Sequence, residues 1–272
     1  MIRLLIAVAF VLAAPAGAAP ISIERQFAPK SLLIDPRFDI HAPDSATTVD
    51  HGAWDRFLGA YVIESPAGIN LVRYDAVAAG DRKALDDYIS ALESVDVAAL
   101  SRPEQIAFWI NLYNAATVRL ILRNPGVKSI RDIRKPWDTA TATVLGRALT
   151  LNEIEHGIIR PIAKDPRIHY AVNCASMGCP NLALEPFVGT ELDAQLDAAA
   201  RRYVNHPRGV RVDGGKAVLS KIYGWYRDDF GKDDAALFDH LRRYADPPLA
   251  EQLKGVSKAS SYEYDWSLNA AP

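Results

Sequence analysis

The apolar residues of this chain fall into runs of recognisable period. A short amphipathic helix is predicted over residues 54–62, a brief strand over 71–74, and a helix over 81–93 with Leu85, Ile89 and Leu92 at core spacing. A stronger helix starts at Ser101, which forms a predicted capping box with Glu104, and Pro103 sits in the first turn where its missing N–H costs little. Apolar residues surround that helix as far as the Asn124-Pro125-Gly126 stop, so it should be central and buried. Asn111 and Asn114 sit inside it. Each needs hydrogen-bond partners, because an unpaired buried amide costs ~1–3 kcal/mol.

The next helix opens at Thr150, with Glu153 completing a second capping box. Leu151, Ile154, Ile158 and Ile162 form its apolar stripe. At a uniform helical pitch Glu155 falls inside that stripe, His156 lies at its margin, and Glu153 and Arg160 face away. A carboxylate on the core side must be paired or protonated. Residues 168–173 then read as a short buried strand, and Ser176-Met177-Gly178 with Pro180 as a tight loop, which places Cys174 where a strand gives way to a turn. A helix follows over 190–205, then a hairpin over 210–219 turning at Asp213-Gly214-Gly215. Ser220 caps a helix whose Tyr223, Tyr226 and Phe230 read as core, and the tail from Tyr262 to Trp266 alternates as a strand does. Helices and strands mix without βαβ alternation. The fold class is therefore α+β, a helix-rich single domain with a small, mostly antiparallel sheet.

Composition changes this picture at the ends and at the charges. Arg3, the apolar run over residues 4–14 and the small residues 16–18 form a predicted secretory leader over 1–18, followed by an extended arm over 19–52 and a globular domain over 53–272. The run is short of the ~20 apolar residues a span requires, and no later stretch approaches that length. A periplasmic or secreted protein without a transmembrane segment is expected. The formal net charge of −2 leaves no basic footprint for nucleic acid, so the expected partner is an unidentified substrate or envelope protein.

Two cysteines carry the candidate chemistry. Cys174 is a candidate nucleophile, with His156 as its base and Glu155, Asn111 or Asn114 to orient the imidazole. Asn173 or the loop amides after Cys174 are candidate oxyanion donors. Against this stands a local Cys174–Cys179 disulfide, whose short loop contributes only ~2 kcal/mol of chain entropy. A redox-active pair is a third reading, weakened by the C-x4-C spacing. His156, His169, Cys174 and Cys179 are a conceivable metal set, but no metalloenzyme spacing appears, and neither metal nor cofactor is expected. His169 reads as a core or edge histidine, and Ser176 lacks the G-x-S-x-G context of a hydroxyl nucleophile.

Four segments carry a family resemblance: FWINLYNA at 108–115, IEHGIIR at 154–160, CASMGCP at 174–180 and YDWSLN at 264–269. In this order they resemble the signature segments of the domain of unknown function 547 family, from about residue 50 to the C-terminus. Plant-type relatives keep the first cysteine, the Glu-His pair and both asparagines, but lack the second cysteine and a histidine at position 169. The resemblance thus implies a site at Cys174, Glu155 and His156, with the papain or transglutaminase class as the nearest analogy in fold and mechanism. Fusions of relatives to glutaredoxin-like domains imply thiol redox chemistry. The expected activity is a cysteine-dependent hydrolase or acyl transferase acting on an amide or ester. The alternatives are a non-catalytic interaction domain with a structural disulfide and a thiol–disulfide oxidoreductase.

Overall fold

The computed structural model describes residues 21–272, so the expected leader over 1–18 lies outside the described residues. In chain order the helices are α1 (Ile21–Phe27), α2 (Gly52–Tyr61), α3 (Ala79–Glu93), α4 (Arg102–Leu122), α5 (Leu151–Ile154), α6 (Arg160–Ala163), α7 (Leu192–Val204), α8 (Lys221–Trp225), α9 (Arg227–Phe230), α10 (Asp234–Tyr244) and α11 (Pro247–Leu253). The strands are β1 (Val62–Glu64), β2 (Asn70–Val72), β3 (Ala140–Val144), β4 (Arg147–Thr150), β5 (Val210–Asp213), β6 (Lys216–Ser220) and β7 (Ala259–Glu263). They form the antiparallel pairs β1–β2 and β3–β4 and a three-stranded sheet β5–β6–β7, in which only β6–β7 is parallel. The α+β class and the mostly antiparallel strands are as the periodicity predicts.

Helix α4 is the axis of the larger core. Seventeen of its residues are buried, Asn111 and Asn114 among them. Around it pack α2, α3, the β3–β4 hairpin and the helix that follows, with Phe38 and Trp109 edge to face at 5.5 Å. A second core joins α7, α8, α10 and the β5–β6–β7 sheet through Tyr203, Tyr223, Phe230 and Phe238. The segment carrying the cysteines runs between the two cores.

Both asparagines of α4 find the partners their burial demands. The Asn111 amide brackets Phe187, donating to its carbonyl at 2.7 Å and accepting from its N–H at 3.0 Å, and it also reaches the His51 ring. The Asn114 amide donates to the Ala171 carbonyl and accepts from the Asn173 N–H. Residues 168–173 consequently need no sister strand. The predicted strand there is instead a 3-10 turn over Pro166–Tyr170, capped by Asp165, and the Ala171 carbonyl and Asn173 N–H that follow it bond to one side chain.

Two local expectations about capping divide. Thr150 and Glu153 make the complete capping box. Ser101 makes no such side-chain bond, because Glu104 reaches elsewhere: its carboxylate accepts the N–H groups of Val49 and Gly189, each at 2.8 Å, and pins two loops to α4.

The helix opened by Thr150 departs from uniform pitch. Between α5 and α6 lies a π-helical turn, Glu155–Ile159, in which the Arg160 N–H reaches back to the Glu155 carbonyl. One extra residue per turn rotates all later positions relative to the α phase. Arg160, predicted to face away, is buried as a result. Pro161 has no N–H to give the carbonyls one turn behind it. The arm supplies what is missing: Leu32 N–H donates to the His156 carbonyl and Ile34 N–H to that of Gly157, both at 3.1 Å. A Cβ on Gly157 would come within 2.6 Å of the Ile34 side chain, so only glycine admits the arm this closely. The expected extended arm is thus docked onto the helix, and it begins with α1.

Candidate active site

Where α1, the π turn, the cysteine loop and the chain after β7 converge, they enclose a cavity of about 510 Å3. Cys174, His156 and Glu155 all line it, and so do His169, Tyr226 and Tyr264. Asn111 and Asn114 lie outside its wall. Asn114 acts on it indirectly, by fixing the backbone just before Cys174, whereas Asn111 holds the more distant Phe187 segment.

One wall, formed by Glu155, His156 and His169, is backed by a charged pair. Arg160 donates to both Asp229 carboxylate oxygens, at 2.7 and 3.1 Å, and to the Pro29 carbonyl of the arm. His169 Nε2 bonds Asp229 at 2.7 Å, and the ring stacks on Tyr226 with centroids 4.5 Å apart. Burial opposes the Asp229 charge, but His169 and Arg160 overcome that penalty and hold its carboxyl far below the usual range. Glu155 is different. Burial pushes its carboxyl up to about 7, against the pull of the Tyr113 hydroxyl and Arg160. The rings of His156 and His169 approach it at 3.7 and 3.9 Å. Burial keeps both imidazoles below their ordinary value, with Arg160 adding to the effect, so neither approach is an ion pair at neutral pH.

The tautomers follow from these partners. His169 donates through Nε2 to Asp229 and keeps a lone pair on Nδ1 toward Glu155. His156 accepts from Arg160 at Nδ1, at 3.1 Å, so its proton sits on Nε2. Its one lone pair is therefore already used, and no hydrogen bond joins it to Cys174.

The other wall carries sulfur. Cys174 and Cys179 are joined in a disulfide. Cys174 is half-buried, whereas Cys179 is only 3% exposed. The buried sulfur accepts the Cys174 N–H at 3.0 Å, and the Tyr264 hydroxyl lies 3.1 Å from both sulfurs. The loop is tied down throughout. Asn173 accepts from the Ala175 N–H and donates to the Pro180 carbonyl, Met177 and Gly178 donate to the chain after β7, and Cys179 N–H donates to Ser176. Ala175 turns through φ +60°, and a Cβ on Gly178 would meet the Asp265 backbone at 2.8 Å. The proposed oxyanion donors, Asn173 and these amides, are thus committed to the loop itself or to the chain after β7.

Between the walls the lining is aromatic: Trp225, Tyr264 and Trp266 pack on one another and Trp137 packs on Trp266, with centroid separations of 4.6 to 5.8 Å. Residues 97–204 match the sequence model of the family described as a protein of unknown function, DUF547. This segment belongs to the DUF547 family. Three of the four signature segments lie within the DUF547 match, while 264–269 lies beyond it and reaches the site only in three dimensions, through Tyr264 and Trp266. No curated protein and no solved structure matches the chain.

Several members of the site escape a reading by pattern. His169 and Tyr226 look like core, and Asp229 sits in the four-residue helix α9 with no periodic signal. Among the described residues, no group of three or more His, Cys, Asp or Glu is arranged to hold a metal ion, and no helix is long and apolar enough to cross a membrane. With its cysteines bonded to each other, the conceivable Cys2His2 set has no thiolate to offer.

Proposed function

We propose that this protein exchanges thiols and disulfides on a substrate whose apolar or aromatic group enters the cavity. The observation that carries the reading is the asymmetry of the bond: a half-buried Cys174 joined to a buried Cys179 whose sulfur already accepts the Cys174 N–H. An incoming thiolate attacks Cys174 Sγ, forming a mixed disulfide, and the Cys174–Cys179 bond breaks. The electron pair leaves on Cys179 Sγ, which accepts from the Cys174 N–H and the Tyr264 O–H. A second substrate thiol then attacks the substrate sulfur. It releases the oxidised substrate as a disulfide and leaves both cysteines reduced, to be reoxidised by another disulfide. Glu155, titrating near 7 in the same cavity, is suited to hold the proton that the leaving thiolate takes up. The leader-like first residues and the disulfide itself fit an oxidising, extracytoplasmic setting.

A cysteine hydrolase remains the second reading, favoured by the acid and two imidazoles in the cavity of Cys174. It is weakened by the committed loop amides and by the occupied His156 Nδ1. Cys179→Ser separates the two. For exchange, the free Cys174 thiol of the variant attacks a disulfide substrate, releases one substrate thiol and stops as a mixed disulfide, and Cys174→Ser is inert. For hydrolysis, Cys179→Ser keeps or gains turnover of amides and esters, and the exchange reading is then wrong.

A further inference from the structure

The disulfide cavity opens to solvent through an apolar mouth. Ile23 and Phe27, one turn apart on α1, line it and are 45% and 83% exposed. Leu32, 74% exposed, lies on the arm beside them, where its N–H bonds the His156 carbonyl. These are three of the five exposed large apolar side chains among the described residues. Deeper in, the ionisable groups are engaged or neutral. Glu24 accepts from Lys221 at 2.5 Å and from Trp225 Nε1 at 2.7 Å, Arg160 is paired with Asp229, and burial pushes the Glu155 carboxyl up to about 7. His156 is 5% exposed and its Nδ1 accepts from Arg160, so Nε2 carries a proton that finds no acceptor among the described residues. Unlike the sealed orphans Asn70 Oδ1, Trp109 Nε1 and Arg208 Nε, this atom keeps accessible surface, and the space His156 lines is the cavity.

Such a cavity selects an uncharged ligand with an acceptor oxygen for His156 and an aromatic body to stack on Trp225, Trp266 and Tyr264. An apolar tail can leave past Ile23 and Phe27, and the volume of about 510 Å3 is that of a ligand site. The sulfur wall narrows the class, because Cys174 and Cys179 form a two-electron couple. A quinone has the carbonyl oxygens, an electron-poor ring and, in lipophilic members, the tail. We propose that the cavity binds a lipophilic quinone, one carbonyl oxygen accepting from His156 Nε2–H, and that the quinone is a second oxidant of the reduced cysteine pair. The Cys174 thiolate adds to a ring carbon and forms a C–S bond. Cys179 then attacks Cys174 Sγ: the S–S bond forms, the C–S bond breaks, and its electron pair stays on the ring. The two thiol protons end on the two ring oxygens, so one quinone becomes one hydroquinone for each disulfide formed. The redox step rests on the reading of the cysteines as an exchanging pair, whereas binding to the oxidised protein does not.

The test uses ubiquinone with a single isoprene unit, whose fully substituted ring has no hydrogen to lose, so that a thiol adduct on it is reversible. Its control is the dimethyl ether of the corresponding hydroquinone, which keeps the skeleton and loses the carbonyls. Quenching of tryptophan emission in the oxidised protein should give a Kd of about 10 μM or below for the quinone and about tenfold weaker binding for the ether. His156→Leu should remove that preference, and where a melting curve shows that this variant does not fold, the ratio in the wild type decides. For the redox step the protein is reduced with a phosphine, which needs no thiol exchange, then desalted and mixed with the quinone without oxygen. One equivalent of quinone should be reduced per protein, about tenfold or more faster than by free dithiothreitol at equal concentration. The Cys174–Cys179 bond should return, and Cys174→Ser should reduce none. Equal affinity for the ether, no binding up to about 1 mM, or reduction no faster than by dithiothreitol overturns the proposal. So does a bond that the phosphine opens only as the protein unfolds. A failure to bind or reduce the quinone leaves the exchange reading standing, because that reading is judged by attack of glutathione on the oxidised bond, a reaction without quinone.

Discussion

The two walls of the disulfide cavity hold their polar groups by different means. On the Glu155 side, side chains from the π turn, the 3-10 turn at 166–170 and α9 hold one another through the Asp229 charge, which pairs with Arg160 and accepts a hydrogen bond from His169. On the sulfur side the groups are neutral, and backbone amides and hydroxyls fix the loop. A charged cluster in a poorly solvated place responds to protons, because every charge there is balanced against desolvation. A neutral, amide-bound loop is indifferent to protons and responds to thiols. The cavity thus joins a pH-sensitive wall to a redox-sensitive one, and changes confined to one wall can show whether the other follows.

The largest expected effect is on the charged wall. Asp229→Asn leaves Arg160 buried without its counter-charge and should cost about 3 kcal/mol, at the low end for a broken buried pair because the Asp229 side chain is 22% exposed. Denaturant melts read this directly. The rate at which thiols reduce the Cys174–Cys179 bond in the folded variant should stay near that of the wild type, and a large change would break the separation of the walls.

Glu155→Gln acts with the opposite sign. The unfolded carboxyl titrates near 4.5 and the folded one near 7. The stability due to this group is therefore full below about pH 4.5 and is lost as pH rises through 7, an amount of about 3 kcal/mol at most. His240 runs the other way, its ring held at about 4 chiefly by burial, so its contribution is lost as pH falls below 6.5. The difference between variant and wild type cancels His240. It should be larger at pH 8, in favour of the glutamine variant, than at pH 4.5, and melting curves at the two pH values check it. A group kept at a cost to stability is the mark of a site rather than of a core.

Much of this architecture is legible in the sequence, and the failures have local causes. The buried α4, the Thr150–Glu153 box and the hairpin at Gly214-Gly215 follow from short-range rules, and the structure keeps them. The π turn defeats any projection at constant pitch, which is why Arg160 is placed on the wrong face. Glu104 leaves Ser101 for two loops distant in the chain, a choice that spacing cannot reveal. Residues 168–173 have the apolar look of a strand, yet the Asn114 amide supplies the bonds that a neighbouring strand would. Tyr264 and Trp266 continue an alternation begun in β7 and then leave the sheet for the cavity. Cys174, Glu155 and His156 are found in one cavity, but the mutual contacts of a catalytic dyad are absent.

Smaller effects sharpen the comparison. Gly157→Ala sets a methyl group against Ile34 and should cost about 2 kcal/mol through overpacking, while loosening the arm, a change that limited proteolysis near residues 29–34 detects. Tyr264→Phe removes the hydroxyl beside both sulfurs. It should slow exchange by about tenfold, or about 1.4 kcal/mol in the barrier, and leave the Glu155 titration almost unmoved. Stopped-flow reduction and the pH dependence of melting read the two walls separately.

The most direct test of exchange is to incubate the native protein with glutathione at neutral pH, quench with acid, and locate the adduct by mass spectrometry. Attack at the less buried cysteine predicts opening of the bond with the fold intact and glutathione on Cys174, not on Cys179. A bond that stays closed in millimolar glutathione until the protein unfolds, or an adduct on Cys179, would contradict it and leave the disulfide a structural clasp.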